Sequence, residues 1–188
     1  MHKIVGLFVV AGAVVAQLSM AQAATEVAHF PANNRFANAI SNAPDGTSTG
    51  VFVTREIGQP GGPVDTVAVI ISSPDGSFTL AIGVLPQGAF HFSAQSASLD
   101  VDLNAITLTT LIGELPENGV VSVDWDGTGT TRTAGNSVSE FDNVRVIFSG
   151  VRTAVVADVT GTVFGVPLVD PSGDLLQLSQ QVTVITSN

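Results

Sequence analysis

Apolar side chains recur at every second position over most of this 188-residue chain. In Leu99–Leu103 they alternate with two aspartates, and Val121–Asp126 repeats the pattern with two valines and a tryptophan. A period of two matches the β-strand, whose successive side chains point to opposite faces of a sheet. The chain has no cysteine, so the burial of these alternate side chains must hold the fold without a disulfide.

Short turn sequences separate about nine or ten such strands. Pro74-Asp75-Gly76 has the composition of a hairpin turn, and Asn118-Gly119 and Ser149-Gly150 resemble two more. The asparagine-rich segment 34–43 is a poor helix former and predicts an irregular or edge strand. Because short turns join antiparallel neighbours, the sequence predicts an all-β fold, a single antiparallel meander closing as a β-barrel or a barrel-like sandwich.

Residues 1–23 are typical of a cleaved secretory signal peptide. Lys3 provides a positive start, Ile4–Val15 is an uncharged apolar run, and Ala21-Gln22-Ala23 is a small-x-small cleavage pattern. The alternative is a membrane anchor over Ile4–Ala24, but its end is diluted by polar residues and no basic cluster follows it. We therefore expect export to the periplasm, the cell surface or the medium. A single all-β domain over 24–188 would remain, without a further transmembrane segment.

Charge is strongly one-sided after the predicted cleavage. Five arginines remain against sixteen aspartates and glutamates, a net side-chain charge of −11. Such a surface repels phosphate backbones, so nucleic-acid binding is not expected. The absence of cysteine excludes thiol catalysis and iron–sulfur clusters, and Gly61-Gly62 lies between prolines rather than opening a helix, unlike a phosphate-binding loop. We expect no cofactor.

The segment Asp124-Trp125-Asp126-Gly127-Thr128-Gly129 resembles part of a calcium-binding loop. Alternating acids followed by glycine supply oxygen ligands and a tight turn, which makes Asp124 and Asp126 candidate metal ligands. The match is incomplete, because the twelfth place of such a loop would be Thr133 rather than a bidentate glutamate. The favoured interpretation is a strand whose polar face carries both aspartates and which ends at an Asp-Gly turn, without a metal.

His91 is a candidate ligand-binding residue or general base. It alternates with Phe90 and Phe92 and should therefore face away from their core, where it could pair with an acid. Gly46-Thr47-Ser48-Thr49-Gly50 matches the nucleophile-elbow pattern, but a strand follows it where that motif needs a helix. His29 is the other imidazole outside the signal, and the spacing of the two histidines gives a metal site no support.

Trp125 and Arg132 are the remaining ligand-binding candidates. Trp125 falls in phase with two valines, which predicts a core position, and a carbohydrate-stacking platform is the alternative. Arg132 follows the glycines, and we expect it to pair across strands with Asp124 or Asp142.

The order of several motifs resembles a loose group of uncharacterised secreted bacterial all-β proteins. Gly50–Arg55 is similar to a VFV-x-R strand, a Gly-x-x-Pro step follows at Gly83–Pro86, and Trp125–Gly129 with Arg132 shortly after is similar to a W-x-G-T-G signature. The resemblance would span about residues 50–185. It implies an exported β fold and supplies no active-site residues. Several members of the group carry cysteines near a long apolar hairpin that follows the VFV-x-R strand, and this chain has none there.

The sequence favours an exported, non-enzymatic protein that binds or scaffolds at the cell surface or outside the cell. One alternative is a carrier that holds a small apolar ligand in a barrel cavity. Another is an enzyme that uses a His–Asp pair at the mouth of the barrel. The partner would be a protein or a small apolar ligand.

Overall fold

A computed structural model describes residues 26–58, 61–141 and 144–186, and most of this part is β-strand. The predicted signal peptide lies outside the described residues. Apart from one short 3-10 turn at Leu103–Ala105, the elements are strands. They are β1 Glu26–Asn42, β2 Ser48–Ile57, β3 Val64–Ser72, β4 Phe78–Val84, β5 Phe90–Phe92, β6 Ser96–Asp102, β7 Leu108–Ile112, β8 Val120–Phe141, β9 Val144–Val163, β10 Val166–Pro167 and β11 Ser172–Thr186.

The strands form one antiparallel sheet that curls into a half-barrel. Its order is β5-β6-β8-β9-β11-β1-β2-β3-β4-β7, and β10 pairs with β9 outside this path. Closure is partial, so the architecture is a barrel-like sandwich, and the predicted all-β antiparallel fold is confirmed. The path departs from a simple meander because β11 pairs with β1, β7 returns to β4, and β6 pairs with β8 rather than with β7.

The inner face of the curled sheet forms the core, and the alternation in the sequence explains its composition. In the core-forming parts of β2, β3, β6 and β8 the buried side chains lie at alternate positions, and the residues between them are more exposed. The largest fully buried side chains are Trp125, Phe90, Leu99, Leu103 and Leu175, accompanied by seven valines.

Trp125 spans this core and joins distant strands. Its side chain is 1% exposed, and its indole Nε1–H donates a 2.6 Å hydrogen bond to the backbone carbonyl of Asn38 in β1. The indole lies close to Gly173 of β11: a Cβ placed there would come 3.1 Å from Trp125 Cδ1 and would also contact Asn38 O and a Val159 methyl. Glycine at 173 therefore leaves the space that the indole needs.

The turn predictions have mixed outcomes. Pro74-Asp75-Gly76 joins β3 to β4 as predicted: Gly76 has φ +86°, and Asp75 Oδ1 accepts a hydrogen bond from the Ser77 N–H. The hairpin predicted at Asn118-Gly119 is wrong, because β7 and β8, which it connects, pair with other strands. The turn predicted at Ser149-Gly150 is also wrong, since both residues are paired inside β9 with β8 and β11.

The edge position considered for segment 34–43 is wrong as well. This segment belongs to β1, which pairs with β11 on one side and β2 on the other. Ala37 and Ala39 are buried in the core, and the buried Ser41 hydroxyl bonds both the N–H and the carbonyl of Val169. The small side chains at 37 and 39 suit a central strand packed beneath larger core residues.

The four longest strands continue past the core as a four-stranded sheet, here called the extension. It comprises 128–141 of β8, 144–154 of β9, 176–186 of β11 and 26–34 of β1. None of its described side chains is fully buried. Within the part of the chain that the structure describes, no helix is long and apolar enough to cross a membrane.

Substitution of Gly173 by alanine should destabilise the protein. The added Cβ would meet Asn38 O, Val159 and Trp125, so we expect the free energy of unfolding to fall by about 1–3 kcal/mol, as for other overpacked sites. Chemical denaturation followed by tryptophan fluorescence measures this change.

Gly135→Ala is the matched control. Gly135 lies in β8, and a Cβ added there would have no neighbouring atom within 4 Å, so the stability should change by less than about 0.5 kcal/mol. Equal stability of the two variants would contradict the packing of Trp125 against Gly173.

Candidate functional site

An open groove of about 860 Å³ is lined by residues of β5, β6, β8 and β9, with Arg55 of β2 at one end. Its lining includes three of the predicted site residues, His91, Asp124 and Asp126, and it is bordered by Trp125. The groove also contains Asp158 and several hydroxyl side chains: Ser93, Ser96, Ser98 and Thr160. The sheet thus collects residues that are far apart in the sequence onto one solvent-facing surface.

The position of His91 follows from the phase of β5. Phe90 is buried on the inner face, Phe92 is half-buried and packs against the core, and His91 between them is exposed. The prediction that His91 faces away from the phenylalanines is therefore confirmed. Its cross-strand partner in β6 is Ser98.

A row of polar side chains crosses the groove from His91. Ser98 lies opposite His91, Asp124 opposite Ser98, and Thr160 opposite Asp124. His91 and Asp124 are two strands apart, roughly 10 Å between Cα atoms at ordinary strand spacing. A serine triad needs the imidazole between the hydroxyl and the carboxylate, whereas here the serine lies between the other two. The row can bind a polar ligand but lacks that geometry.

Asp124 and Asp126 are both exposed on the outer face, alternating with the buried Val123 and Trp125. The predicted polar strand face is therefore confirmed. The Asp-Gly turn predicted after it is wrong: β8 continues through a bulge between Gly127 and Gly129. The Gly127 N–H donates to the carbonyl of Gln95, and a Cβ at 127 would contact both that carbonyl and Val155.

The extended backbone beyond Asp126 does not fold back round an ion as a calcium loop does. Among the described residues, no group of three or more His, Asp or Glu side chains is arranged to hold a metal ion. Asp126 instead lies directly opposite Asp158 on β9. Two carboxylates facing each other across neighbouring strands repel, which costs folding free energy unless a cation lies near them.

Trp125 borders the groove but belongs to the core, which confirms the packing prediction. With 1% of its surface exposed and its N–H bonded to Asn38, it offers no free ring face. The carbohydrate-stacking alternative for Trp125 is therefore wrong.

Arg132 lies in the extension, opposite Thr153 of β9, and its side chain lies outside the described residues. It is eight residues along the same strand from Asp124, roughly 26 Å away at the usual rise. The predicted pairing with Asp124 is therefore wrong, and Asp142 is not among the described residues. His29 is on β1 opposite Thr183, and its side chain is likewise not described.

Sequence reasoning missed an ion pair at one end of the groove. Arg55 of β2 donates from Nε and Nη2 to the carboxylate of Asp65 in β3, at 2.7 and 2.6 Å. Arg55 Nη2 also donates to the Phe90 carbonyl at 2.7 Å, and the guanidinium lies 5.3 Å from the centre of the Phe90 ring. The pair thus connects β2 and β3 to β5 across the curl of the sheet.

The environment of Arg55 favours its charged form. The hydrogen bonds to Asp65 raise the pKa of the guanidinium above its ordinary value and outweigh the opposing effect of partial burial. The two-residue spacing of the sequence could have revealed this pair. Arg55 lies on the same strand face as Val51 and Val53, and Asp65 lies on the same face as Val67, so both side chains should point inward.

Comparison with protein-family models, with curated proteins and with solved structures finds no match.

Loss of the Arg55–Asp65 pair should destabilise the fold. In Arg55→Met the carboxylate of Asp65, whose side chain is 10% exposed, loses its partner, and we expect the free energy of unfolding to drop by about 1–3 kcal/mol. Urea denaturation measures the loss.

Arg152→Met is the control for the removal of one positive charge. Arg152 is exposed on β9, so its replacement should cost less than about 0.5 kcal/mol. An equal effect of both substitutions would show that Arg55 contributes only its charge.

Proposed function

We propose that this chain is an exported, non-enzymatic binding protein that recognises a basic partner, such as a lysine- or arginine-rich protein segment, through the outer face of its sheet. The observation that carries the proposal is the collection of Asp124, Asp126 and Asp158 on one exposed surface within the groove.

The charge of the groove supports a cationic partner. The arginine that lines it, Arg55, is engaged by Asp65 and by the Phe90 carbonyl. Asp126 and Asp158 face each other directly, so a positive group bound between them would relieve their repulsion. The neighbouring Ser96, Ser98 and Thr160 add hydroxyl groups that can accept hydrogen bonds from an ammonium or a guanidinium.

The interior of the sandwich favours surface recognition over carriage. Large apolar side chains, including Trp125, Phe90 and Leu99, are buried together in one core cluster inside the curled sheet. A carrier of the kind considered above holds its apolar ligand in an interior cavity. The described groove is instead open and combines aromatic with acidic and hydroxyl side chains.

The order of groups in the groove supports a non-enzymatic role. Ser98 separates His91 from Asp124, so the carboxylate is not placed to orient the imidazole as a general base. Export is proposed from the signal-like residues 1–23.

The binding of a fluorescently labelled oligolysine to the chain without residues 1–23 tests the proposal. We expect saturable binding that weakens as salt is added, because the attraction is electrostatic. Asp124→Asn combined with Asp126→Asn should weaken it by about five- to tenfold, the loss of roughly 1 kcal/mol of attraction.

A second double variant separates the groove from general charge. Asp45→Asn with Asp75→Asn removes the same charge at two exposed turns outside the groove and should change the dissociation constant less than twofold. Equal weakening in both double variants, or no saturable binding to the parent protein, would contradict the groove as the recognition site.

A further inference from the structure

The extension leaves one edge of β8 open. β6 pairs with Val120–Asp126 of that strand, and Gln95 then bonds the Gly127 N–H and the Thr130 hydroxyl. From Thr131 to Phe141, β8 is paired with β9 on one side, and the described part of the chain supplies no strand on the other. Alternate N–H and carbonyl groups along this stretch therefore face solvent at a sheet edge.

The open edge lacks the devices that usually prevent strands from pairing. Thr131–Phe141 contains no proline and no lysine, and its charged residues are one arginine and one glutamate, Arg132 and Glu140. Prolines, clustered charges and inward-pointing lysines are what normally protect such an edge. Val138 on this strand is 48% exposed.

Charge is segregated between the extension and the rest of the molecule. The extension carries Arg132, Arg145 and Arg152 against Glu26 and Glu140, whereas most of the acids lie on the core-forming part. Two copies could therefore meet through their extensions while keeping their acidic bodies apart. The extension, with nearly balanced charge, is therefore the part of the surface on which a second copy of the chain meets the least electrostatic repulsion.

We propose that the open edge of β8 pairs antiparallel with the same edge of a second copy, forming a two-fold dimer with a continuous eight-stranded sheet across the two extensions. A two-fold axis perpendicular to the sheet leaves each side chain on the same face in both copies. Because directly opposed residues share a face and faces alternate along a strand, the numbers of two opposed residues must add to an even sum. When residues 131–141 of the two copies pair along their full length, Asn136 lies on the two-fold axis.

That register is complementary in charge and in polarity. It sets Arg132 opposite Glu140 of the partner subunit, and the symmetry repeats the pair on the other side of the axis. It also sets Ala134 opposite Val138 of the partner subunit, which covers an exposed apolar side chain. Opposite charges and apolar pairs across strands are each stabilising by about 0.2–1 kcal/mol.

Each Glu140 would then lie in a row of alternating charge. Within one chain its Oε1 is 3.4 Å from Nε of Arg145 on β9, with both side chains more than half exposed. On the other side it would face Arg132 of the partner subunit. The glutamate would therefore be flanked by two arginines in the dimer, and the backbone hydrogen bonds along the edge would add roughly ten more contacts.

Cysteine cross-linking tests both the dimer and its register, because the natural chain has no cysteine. In Asn136→Cys the two thiols would lie on the axis, within the Cα separation of roughly 4.5–5.5 Å of opposed residues. We expect oxidation to yield a disulfide-linked dimer. Val138→Cys is the control on the same strand and face, where the two copies would be roughly 13 Å apart and should not link.

Charge reversal tests the pairing without a new covalent bond. Glu140→Arg or Arg132→Glu alone should weaken dimerisation in analytical ultracentrifugation by about tenfold or more, because like charges would then oppose each other twice. The combined Arg132→Glu, Glu140→Arg variant should recover the dimer. Arg152→Glu makes the same charge change as Arg132→Glu away from the edge strand and should leave dimerisation within about twofold.

Several outcomes would overturn the proposal. They are a folded protein, with a β-type circular dichroism spectrum, that stays monomeric up to high micromolar concentration; equal cross-linking at positions 136 and 138; and failure of the double reversal to recover a dimer that the single reversals had lost.

Discussion

The packing of Trp125 against Gly173, with the indole N–H bonded to the carbonyl of Asn38, is the contact on which the curl of the sheet depends. It joins β8, β11 and β1 on the inner face, while Arg55 and Asp65 join β2 and β3 to β5 at the rim. A long antiparallel sheet twists but does not bury one face unless side chains bridge its two halves. In a chain without disulfides these contacts, and the alternate apolar residues around them, are what keep the inner face dry.

Curling divides the molecule into surfaces of different chemistry. The outer faces of β6, β8 and β9 collect aspartates around the groove, whereas the extension carries most of the arginines. Both arrangements arise because β8 and β9 each run through the core and then beyond it. β8 thus contributes to the acidic surface at one end and presents an open edge with no net charge at the other. Recognition of a basic partner and self-association would use separate parts of the protein.

Much of the fold could be predicted from the sequence, because burial on one face requires apolar residues at alternate positions. That rule placed Trp125 in the core, His91 outside it, and Asp124 and Asp126 on a polar strand face. It could not give the order of the strands. Ser149-Gly150 has the composition of a turn, yet pairing with strands on both sides keeps it extended. The sequence predicts that a strand ends at Gly127, but the residue forms a bulge whose close neighbours are Gln95 of the β5–β6 turn and Val155 of β9. The ion pair of Arg55 and Asp65 was missed because the two residues lie on neighbouring strands of one hairpin. Their contact can be recognised from the sequence only when both side chains are assigned to the inner face.

Intrinsic fluorescence tests the central claim most directly, because Trp125 is the one tryptophan and the chain has no tyrosine. We predict a blue-shifted emission that resists quenching by acrylamide, and loss of this signal at the same denaturant concentration as the β-type circular dichroism, as expected for one cooperative core. A red-shifted, readily quenched emission from protein that retains its β-type spectrum would contradict the account, since the sheet would then exist without the contact proposed to curl it.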